Sequence, residues 1–536
     1  MRDWLSRCAL AASIAACCGA LPSCISYDVT SPSDYIGPTR QAASRAVEAP
    51  APATGPTSRP VVSTGPLEIT VPQAILMALE NNEALIVQGF NPQIRRTSEQ
   101  EARAVFDPDL GASFSGRRTK TQTHGSAASV SKSGLAEIAL GEFLPTGTTV
   151  VLSLGSDVEV DEPNDWTSHA GLTVTQALLR GFGPAVNLAS LRQARLDVLT
   201  SQYELRGFAE TLVADTEKAY WDYVLAQRQI EIVEQSLALA EDQLGDTKER
   251  IRVGKLAELE RAAAEAEVAL RREDLINARS ALQKARLQLL RLLNAPGEGL
   301  FDRQIVPRDL PVVTVLDLGP VEEHVQVANR MRADLNEARL RVNRGELEIV
   351  KTRNGLLPKM DLFVALGRTG YAESFGPSLN DIAEGRSYDA AVGLSMEYPP
   401  LNRAAQARHI RATISRDQSM EAVNNVAQLA EVDVRSAYIE VIRSNQQVAA
   451  TAATRKLQEE KLRAETEKFR VGKSTTLLVA TAQRDLLVSQ IDEVRAVASH
   501  LKSLVDLYRL EGSLLERRGI ASPGREQVVI TKNPRP

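Results

Sequence analysis

Few side chains in this chain are spaced as catalysis or metal binding would require. Its 536 residues include five histidines, and no two of them have the short separation of a metal-binding pair. The five are His124, His169, His324, His409 and His500. The sequence has neither a phosphate-binding glycine loop nor a motif that pairs a nucleophile with a base. It therefore predicts a protein that is not an enzyme and that binds no cofactor and no metal ion.

The charges point to no nucleic-acid partner. The chain contains 63 lysines and arginines against 68 aspartates and glutamates, so it carries no basic excess. We therefore expect no binding to nucleic acid.

The cysteines are the residues that do suggest chemistry. All four lie within the first 24 residues, behind Arg2 and Arg7 and within or directly after an apolar run over 8–21. A basic start followed by a short apolar run is typical of a signal peptide, and this run is too short to span a membrane. We therefore predict that residues 1–24 are a signal peptide of the lipoprotein type and that the protein is exported. Because few or no thiols remain after cleavage, we expect no disulfides.

The segment 21–24, Leu-Pro-Ser-Cys, resembles the bacterial lipobox, whose cysteine is acylated and becomes the first mature residue. Pro22 is an unusual residue at its position in that motif. The segment 14–17, Ile-Ala-Ala-Cys, fits the pattern better locally but leaves a very short apolar run. Cys24 is the predicted lipidation site and Cys17 the alternative, and cleavage without lipidation is the third alternative.

The rest of the chain contains an internal duplication. One set of residues recurs at an offset of 250 and a later set at an offset of 218, so the first copy contains 32 more residues between the two sets. The first set is Val71, Ala78, Leu85 and Pro108, and the second is Asp215, Ala219, Tyr220, Gln229 and Arg252–Lys255. Insertions of that size belong in loops or hairpins.

The sequence divides into six predicted segments, two of which are the copies of the duplication. After the signal peptide, a Pro-rich tether is expected because its composition offers too little apolar surface to fold. The predicted segments are the signal peptide (1–24), the tether (25–66), a first repeat (67–300), a linker (301–320), a second repeat (321–516) and a C-terminal tail (517–536).

Each repeat should contain a long helical hairpin. Prolines are absent from 185–295 and from 401–522, and these stretches are rich in Ala, Leu, Glu, Gln and Arg at helical spacing. The predicted hairpins cover 186–294 and 404–515. Their outgoing helices, 186–253 and 404–471, would each be about 100 Å long at about 1.5 Å per residue. The shorter returning helices, 255–293 and 473–515, need another helix stacked end to end, and the segments 69–105 and 321–357 have the required helical spacing.

The turns of the two hairpins share the sequence Arg-Val-Gly-Lys. Gly254 and Gly472 suit the left-handed residue that ends a helix. The complete turns are Arg252, Val253, Gly254 and Lys255 in the first repeat and Arg470, Val471, Gly472 and Lys473 in the second.

Strands are predicted at 109–177 and 359–398, where apolar residues alternate with small or polar ones. The alternation fits barrel strands with one face in lipid, and it also fits a soluble sheet packed on a core. A further alternating pair, 135–143 and 149–155, is either two more strands or a hairpin outside the membrane.

In this order and in duplicate, these motifs resemble the trimeric TolC-like outer-membrane efflux ducts over about residues 66–516. Beyond the paired turns, the motifs that carry the resemblance are Ala78–Asn82, Phe106–Pro108, Gln176–Gly183 and Tyr398–Arg403. The resemblance implies an α+β membrane protein with a duplicated strand hairpin and long antiparallel helical hairpins. Three copies, each giving four strands, would form a transmembrane β-barrel of 12 strands, continued by a periplasmic α-helical barrel.

The resemblance also implies partners and site residues. The homotrimer would sit in outer-membrane lipid, and its turns would form a periplasmic tip that docks an adaptor protein serving an inner-membrane pump of the RND or ABC type. Glu260 matches the family's acid in the first repeat, whereas Leu478 and Thr481 replace the two aspartates of the best-known members. We therefore expect an apolar constriction at the tip in place of acidic, cation-binding gating.

The predicted function is that of a passive exit duct of a tripartite efflux or type I secretion system in the outer membrane. The alternative is a lipid-anchored coiled-coil spacer or adhesin of the cell envelope. That alternative accounts for the helices and the anchor but not for strands inserted at matching points of both repeats.

Overall fold

The computed structural model describes residues 66–530, apart from 123, 125–128, 161–164, 296–299, 310, 312–317 and 525. The predicted signal peptide, both candidate lipidation cysteines and the predicted tether up to residue 65 lie outside the described residues. Part of the predicted linker and the last residues of the predicted tail do so too.

The first repeat contains helices before and after a group of strands. Its elements are β1 (Leu67–Ile69), α1 (Val71–Asn81), α2 (Glu83–Gly89), α3 (Asn91–Ala104), β2 (Asp109–Thr121), β3 (Ser129–Leu144), β4 (Thr148–Glu159), β5 (Asp165–Ala177), α4 (Pro184–Asn187), α5 (Ala189–Arg252) and α6 (Leu259–Leu293).

The second repeat follows the short strand β6 (Ile305–Pro307), which pairs with β1 in parallel. Its elements are α7 (Val321–Met331), α8 (Ala333–Asn354), β7 (Lys359–Ala372), α9 (Phe375–Glu384), β8 (Ser387–Glu397), α10 (Arg403–Arg470), α11 (Thr476–Leu510) and α12 (Leu514–Arg517).

The long helices are the main feature of both repeats. α5 has 64 residues and α10 has 68, which corresponds to roughly 95–100 Å at about 1.5 Å per residue. α5 begins three residues later than the sequence suggests, because Pro184 starts a separate short helix. α6 and α11 have 35 residues each and begin after the turns, at Leu259 and Thr476. The predicted pair of long helical hairpins is therefore present.

The expectation that 69–105 and 321–357 are single helices is wrong. Both are broken at equivalent positions, Asn82 and Arg332, whose backbones are extended. The Asn82 side chain accepts hydrogen bonds from the backbone N–H groups of Ala84 and Leu85, two and three residues farther along the chain, and donates one to the Leu292 carbonyl oxygen. An asparagine that caps the following helix in this way competes with continuation of the preceding one.

The sheet contains six antiparallel strands, in the order β2-β3-β4-β5-β7-β8. The family resemblance implies four strands per chain, whereas this sheet has six, because the further alternating pair at 135–155 is incorporated in it as β3 and β4. Within the described residues the sheet is open, and β2 and β8 are its two edges.

Two equivalent tyrosine hydrogen bonds in the core between the helices reproduce the sequence duplication in the structure. The Tyr220 hydroxyl donates to the Ile69 carbonyl oxygen at 3.2 Å, and the Tyr438 hydroxyl donates to the Gly319 carbonyl oxygen at 2.9 Å. These partners are related by the same offsets as the sequence repeats. Two clusters of buried apolar side chains surround the two tyrosines.

The chain end is tied to the helices. The buried guanidinium of Arg206 on α5 donates to the carbonyl oxygens of Gly512 and Gly524 and pairs with Glu210 and Glu516. Farther along, the Asn343 amide on α8 donates to a carbonyl oxygen of the same terminal segment, at position 529. Much of the predicted tail is therefore packed against α5 and α8.

No helix in the described part of the chain is both long enough and apolar enough to cross a membrane.

Candidate functional site

The two hairpin turns have the same backbone geometry. In the first, Gly254 has φ of +73° and its N–H donates to the Ile251 carbonyl oxygen, while the Lys255 N–H donates to the Arg250 carbonyl oxygen. In the second, Gly472 has φ of +74°, and equivalent bonds run to Phe469 and Lys468. This is the Schellman arrangement, in which a left-handed glycine ends the helix and satisfies its last carbonyl groups.

One side chain joins the two turns. Arg250, at the end of α5, donates from Nη1 to the Phe469 carbonyl oxygen at 3.2 Å, and its guanidinium lies over the Phe469 ring. Phe469 is buried although it is only three residues from Gly472. The turn of the first repeat is therefore packed against the turn of the second, and together they form one end of the helical part, which we call the tip.

Charge is locally compensated at the tip. The ammonium of Lys468 and the hydroxyl of Ser474 both donate to the Glu465 carboxylate, at 2.6 and 2.8 Å, and these hydrogen bonds lower the Glu465 pKa. On the first turn Arg252 pairs with Glu249 in the preceding turn of its own helix. These three basic and hydroxyl groups are therefore each paired with a glutamate of their own repeat.

The eight residues predicted to dock a partner are all exposed in the chain. They are Arg252, Val253, Gly254 and Lys255 together with Arg470, Val471, Gly472 and Lys473. Two apolar side chains, Val253 and Val471, project from otherwise charged turns and are more than half exposed. The tip therefore offers two equivalent small apolar surfaces bordered by lysine and arginine.

The predicted constriction residues lie just beyond these turns. Leu478, 51 % exposed, and the exposed Thr481 are three residues apart on α11 and share one face of that helix. The Thr481 hydroxyl donates to the Leu477 carbonyl oxygen of its own helix. Glu260 is half-buried in the first turn of α6, so the three predicted residues are divided between two helices.

A buried ion-pair cluster near the tip was not predicted from the sequence. Glu267 on α6 accepts from Arg271 at 3.0 Å and from Arg484 of α11 at 3.2 Å, and Arg271 also pairs with Asp274 at 2.8 Å. The cluster joins the returning helices of the two repeats. The pair at 267 and 271 has the spacing of a helical ion pair, but nothing in the sequence indicates Arg484 as a partner.

The sheet has two chemically distinct faces. On one face, each of the six strands carries large apolar side chains, for example Leu152 on β4 and Val364 on β7. Ser153 follows Leu152 in the chain and Ala365 follows Val364, so both lie on the other face. They belong there to rows of small and polar residues, which also include His169 and Asp389. Such a sheet can separate an apolar from an aqueous environment.

The described residues contain no group of three or more His, Cys, Asp or Glu side chains arranged to hold a metal ion.

Comparison with known proteins gives one family. The family model described as outer membrane efflux protein matches residues 74–295 and 325–513, which together make up most of the chain and include both repeats. No curated protein matches the sequence.

Several solved structures are similar in fold. The outer-membrane channel OprN has a TM-score of 0.64 at 18 % identity, covering 83 % of this chain and 90 % of OprN. The CmeC outer membrane channel of Campylobacter jejuni has a TM-score of 0.63 at 15 % identity, covering 83 % of this chain and 86 % of CmeC. The open state of the MtrE outer membrane channel of Neisseria gonorrhoeae has a TM-score of 0.60 at 20 % identity, covering 83 % of this chain and 89 % of MtrE.

Proposed function

The chain belongs to the outer membrane efflux protein family, and from this premise we propose that it is the outer-membrane exit duct of a tripartite efflux or type I secretion system. It conducts substrates passively from an inner-membrane pump, of the RND or ABC type, through a periplasmic adaptor to the exterior. The energy comes from the pump, and the duct supplies a continuous path.

The observation that carries this proposal is the direct continuity of the two-faced sheet with helices about 100 Å long. In each repeat a helix leads into strands, and the strands lead into a long helix that ends at the tip. A sheet with one apolar face suits lipid, and helices of this length suit an extended column in water. The same chain therefore has parts for a membrane and for the space beside it.

A single copy has surfaces that call for neighbours. The sheet edges β2 and β8 have no partner within the described residues, and unpaired strand edges are not tolerated in lipid. On α10, Ile414, Val432 and Ile439 are all more than half exposed. Three copies arranged in a ring would pair the edges and cover such side chains, which supports a homotrimeric β-barrel continued by a helical barrel.

We place the sheet in the outer membrane and the helices in the periplasm. The signal peptide over 1–24, lipidation at Cys24 or alternatively at Cys17, and a tether over 25–66 would add an N-terminal lipid anchor. These assignments rest on the sequence pattern.

The tip then lies at the periplasmic end, where an adaptor would dock. We assign docking to the two exposed turns, 252–255 and 470–473, because they present equivalent apolar and basic side chains. We assign the constriction to Glu260, Leu478 and Thr481, where Leu478 supplies an apolar barrier in place of an acid.

The rival function is a lipid-anchored spacer or adhesin of the envelope. It would need the long helices but not a six-stranded sheet with a continuous apolar face between them. The exit duct uses both parts and is therefore the better proposal.

Single-channel conductance in planar bilayers tests the proposal. We expect the purified mature protein to form discrete pores, and Leu478→Ser to raise the open probability by wetting the constriction. Leu477→Ser is the matched control, since this exposed neighbour lies on a different face of α11. A folded oligomer that never conducts, as wild type or as Leu478→Ser, would favour the spacer.

A further inference from the structure

The strands β3 and β4 have no counterpart in the second repeat, in which β7 and β8 follow each other with only α9 between them. In the sheet this hairpin lies between β2 and β5, so that β2 pairs with β3 instead of with β5. The pairing is continuous: β2 faces β3 from Asp109–Gly141 to Thr121–Ser129, and β4 faces β5 from Thr148–Gln176 to Glu159–Asp165. The hairpin is an internal part of the sheet and not an appendage on its surface.

The apolar face of the sheet continues across the hairpin without a break. At one level, leucines lie side by side on five consecutive strands, and Ala390 continues the row on β8. The leucines are Leu110, Leu140, Leu152, Leu172 and Leu366. All five are exposed in the chain. A sheet packed on a protein core would cover them, whereas lipid chains would cover all five equally.

The opposite face is also continuous. Beside the leucine row, the adjacent residues form a row of small and polar side chains across the same strands. They are Gly111, Ala139, Ser153, Gly171, Gly367 and Asp389. The hairpin thus matches its neighbours on both faces, as a barrel strand must.

The hairpin also reaches the same depth as the other strands. Its turn, between Leu144 and Thr148, is fixed to the junction of sheet and helix: the Asn187 amide donates to the carbonyl oxygens of Pro145 and Gly181, at 3.0 and 2.8 Å. The Gly183 N–H donates to the carbonyl oxygen of the turn residue at position 146. β3 and β4 have 16 and 12 residues, and a strand needs about 9–11 to cross a membrane.

We propose that each copy gives six strands, and not four, to the outer-membrane barrel, so that three copies form a wall of 18 strands in which β3 and β4 contact lipid. The inference rests on the proposed trimeric duct. β2 leaves the helical end of the sheet and β8 returns to it, so β8 of one copy and β2 of the next are antiparallel when side by side. An even number of strands per copy allows the ring to close in this way.

The extra strands set the width of the outer mouth. Barrel diameter grows roughly linearly with strand number, so the 18-strand wall is about one and a half times as wide as a 12-strand wall of equal tilt. Barrels of this size leave an aqueous channel. The proposed wall therefore surrounds a water-filled mouth that is wider than a four-strand contribution per copy would give.

Site-directed fluorescence quenching tests the proposal on the full chain in proteoliposomes. All native cysteines lie in the first 24 residues, so an introduced cysteine is the single labelling site once any native thiol that remains after signal-peptide cleavage is replaced by serine, and it can carry an environment-sensitive fluorophore. Leu152→Cys and Ser153→Cys probe the two faces of β4. Val364→Cys and Ala365→Cys are the matched control pair on β7, which belongs to the wall in either arrangement. Brominated lipid reports contact with the membrane, and iodide reports contact with water.

We expect brominated lipid to quench the label at 152 several-fold more than at 153, with the same alternation at 364 and 365. If the alternation occurs on β7 but the labels at 152 and 153 are quenched equally by iodide, the hairpin lies outside the barrel wall. That result would overturn the 18-strand proposal and would still agree with the proposed duct. If neither pair is quenched by lipid, the sheet does not enter the membrane and the proposed duct itself falls.

Discussion

The guanidinium of Arg250 lies over the ring of Phe469, with its central carbon 4.6 Å from the ring centroid. The same group donates a hydrogen bond to the Phe469 carbonyl oxygen. Arg250 lies in the last turn of the outgoing helix of the first repeat, and Phe469 lies in the last turn of that of the second. At the position equivalent to Arg250 the second repeat has Lys468, which pairs with Glu465 of its own helix. Arg250 therefore links the two turns through a contact that the second repeat does not reproduce, although the turns themselves are duplicated.

Arg250→Ala should loosen both turns. A cation–π contact contributes about 0.5–2 kcal/mol and a charged hydrogen bond about 1.5–3 kcal/mol, so local opening should become easier by about 2–4 kcal/mol at most. Hydrogen exchange measured by mass spectrometry should be faster at 249–260 and also at 467–478. Arg252→Ala is the control, since its guanidinium pairs with Glu249 within the first turn. Unchanged exchange at 467–478 in Arg250→Ala would contradict the link.

Gly254→Ala should destabilise the first turn through its backbone alone. A Cβ at Gly254 would have no atom within 4 Å, but φ is +73°, and a left-handed alanine costs about 1–2 kcal/mol. Gly245→Ala, in the interior of α5 and also without a close neighbour, should instead stabilise by about 0.5–1 kcal/mol. Urea unfolding in detergent measures both variants. Shifts of the same sign would refute the assignment of Gly254 as the helix-ending residue.

Repetition and periodicity were sufficient to predict the helical hairpins and their turns. The helix breaks at Asn82 and Arg332 could not be predicted from the sequence. The apolar spacing continues past both residues, although the helical conformation of the backbone is interrupted there. The position of the β3–β4 hairpin depends on pairing with β2 and β5, which alternation alone does not determine.

The contacts between the two repeats could not be predicted from the sequence either. Arg206 binds carbonyl oxygens more than 300 residues away, and Arg484 reaches Glu267 from the other hairpin. Local spacing carries no information on such partners, so the packed C-terminal segment and the ion cluster near the tip were found only in the structure.

Glu337 should make stability depend on pH. Burial raises its pKa from 4.5 to about 7, and negative charge on Glu204 and Asp334 adds to the shift while Arg341 opposes it. The folded state therefore holds a proton that the unfolded state has already lost between pH 4.5 and 7. The contribution of Glu337 to the free energy of unfolding is fully present below pH 4.5 and falls as the pH rises through that window. Above about pH 7 it is lost, and the free energy of unfolding is then lower by about 2–3 kcal/mol.

Glu337→Gln removes this dependence, since its side chain is neutral throughout. Melting followed by circular dichroism should give the variant a higher Tm than wild type at pH 8 and nearly the same Tm at pH 4.5. Glu421→Gln, at an exposed position on α10, is the control and should change little at either pH. An equal Tm difference at both pH values would mean that ionisation of Glu337 has no part in the effect.

Gly147→Ala should weaken the base of the β3–β4 hairpin more than Gly183→Ala weakens the nearby junction. Both glycines have positive φ, +89° and +93°, so an alanine at either position has a similar backbone cost. A Cβ at 147 would also come within 2.3 Å of the Gly181 carbonyl oxygen, whereas at 183 no atom lies within 4 Å. The difference between the variants therefore isolates the close approach of the hairpin turn to the junction, and overpacking of this kind costs about 1–3 kcal/mol. Urea midpoints of the detergent-solubilised protein measure it. Equal losses in the two variants would mean that the turn does not rest against Gly181, and the hairpin would lose its fixed depth in the sheet.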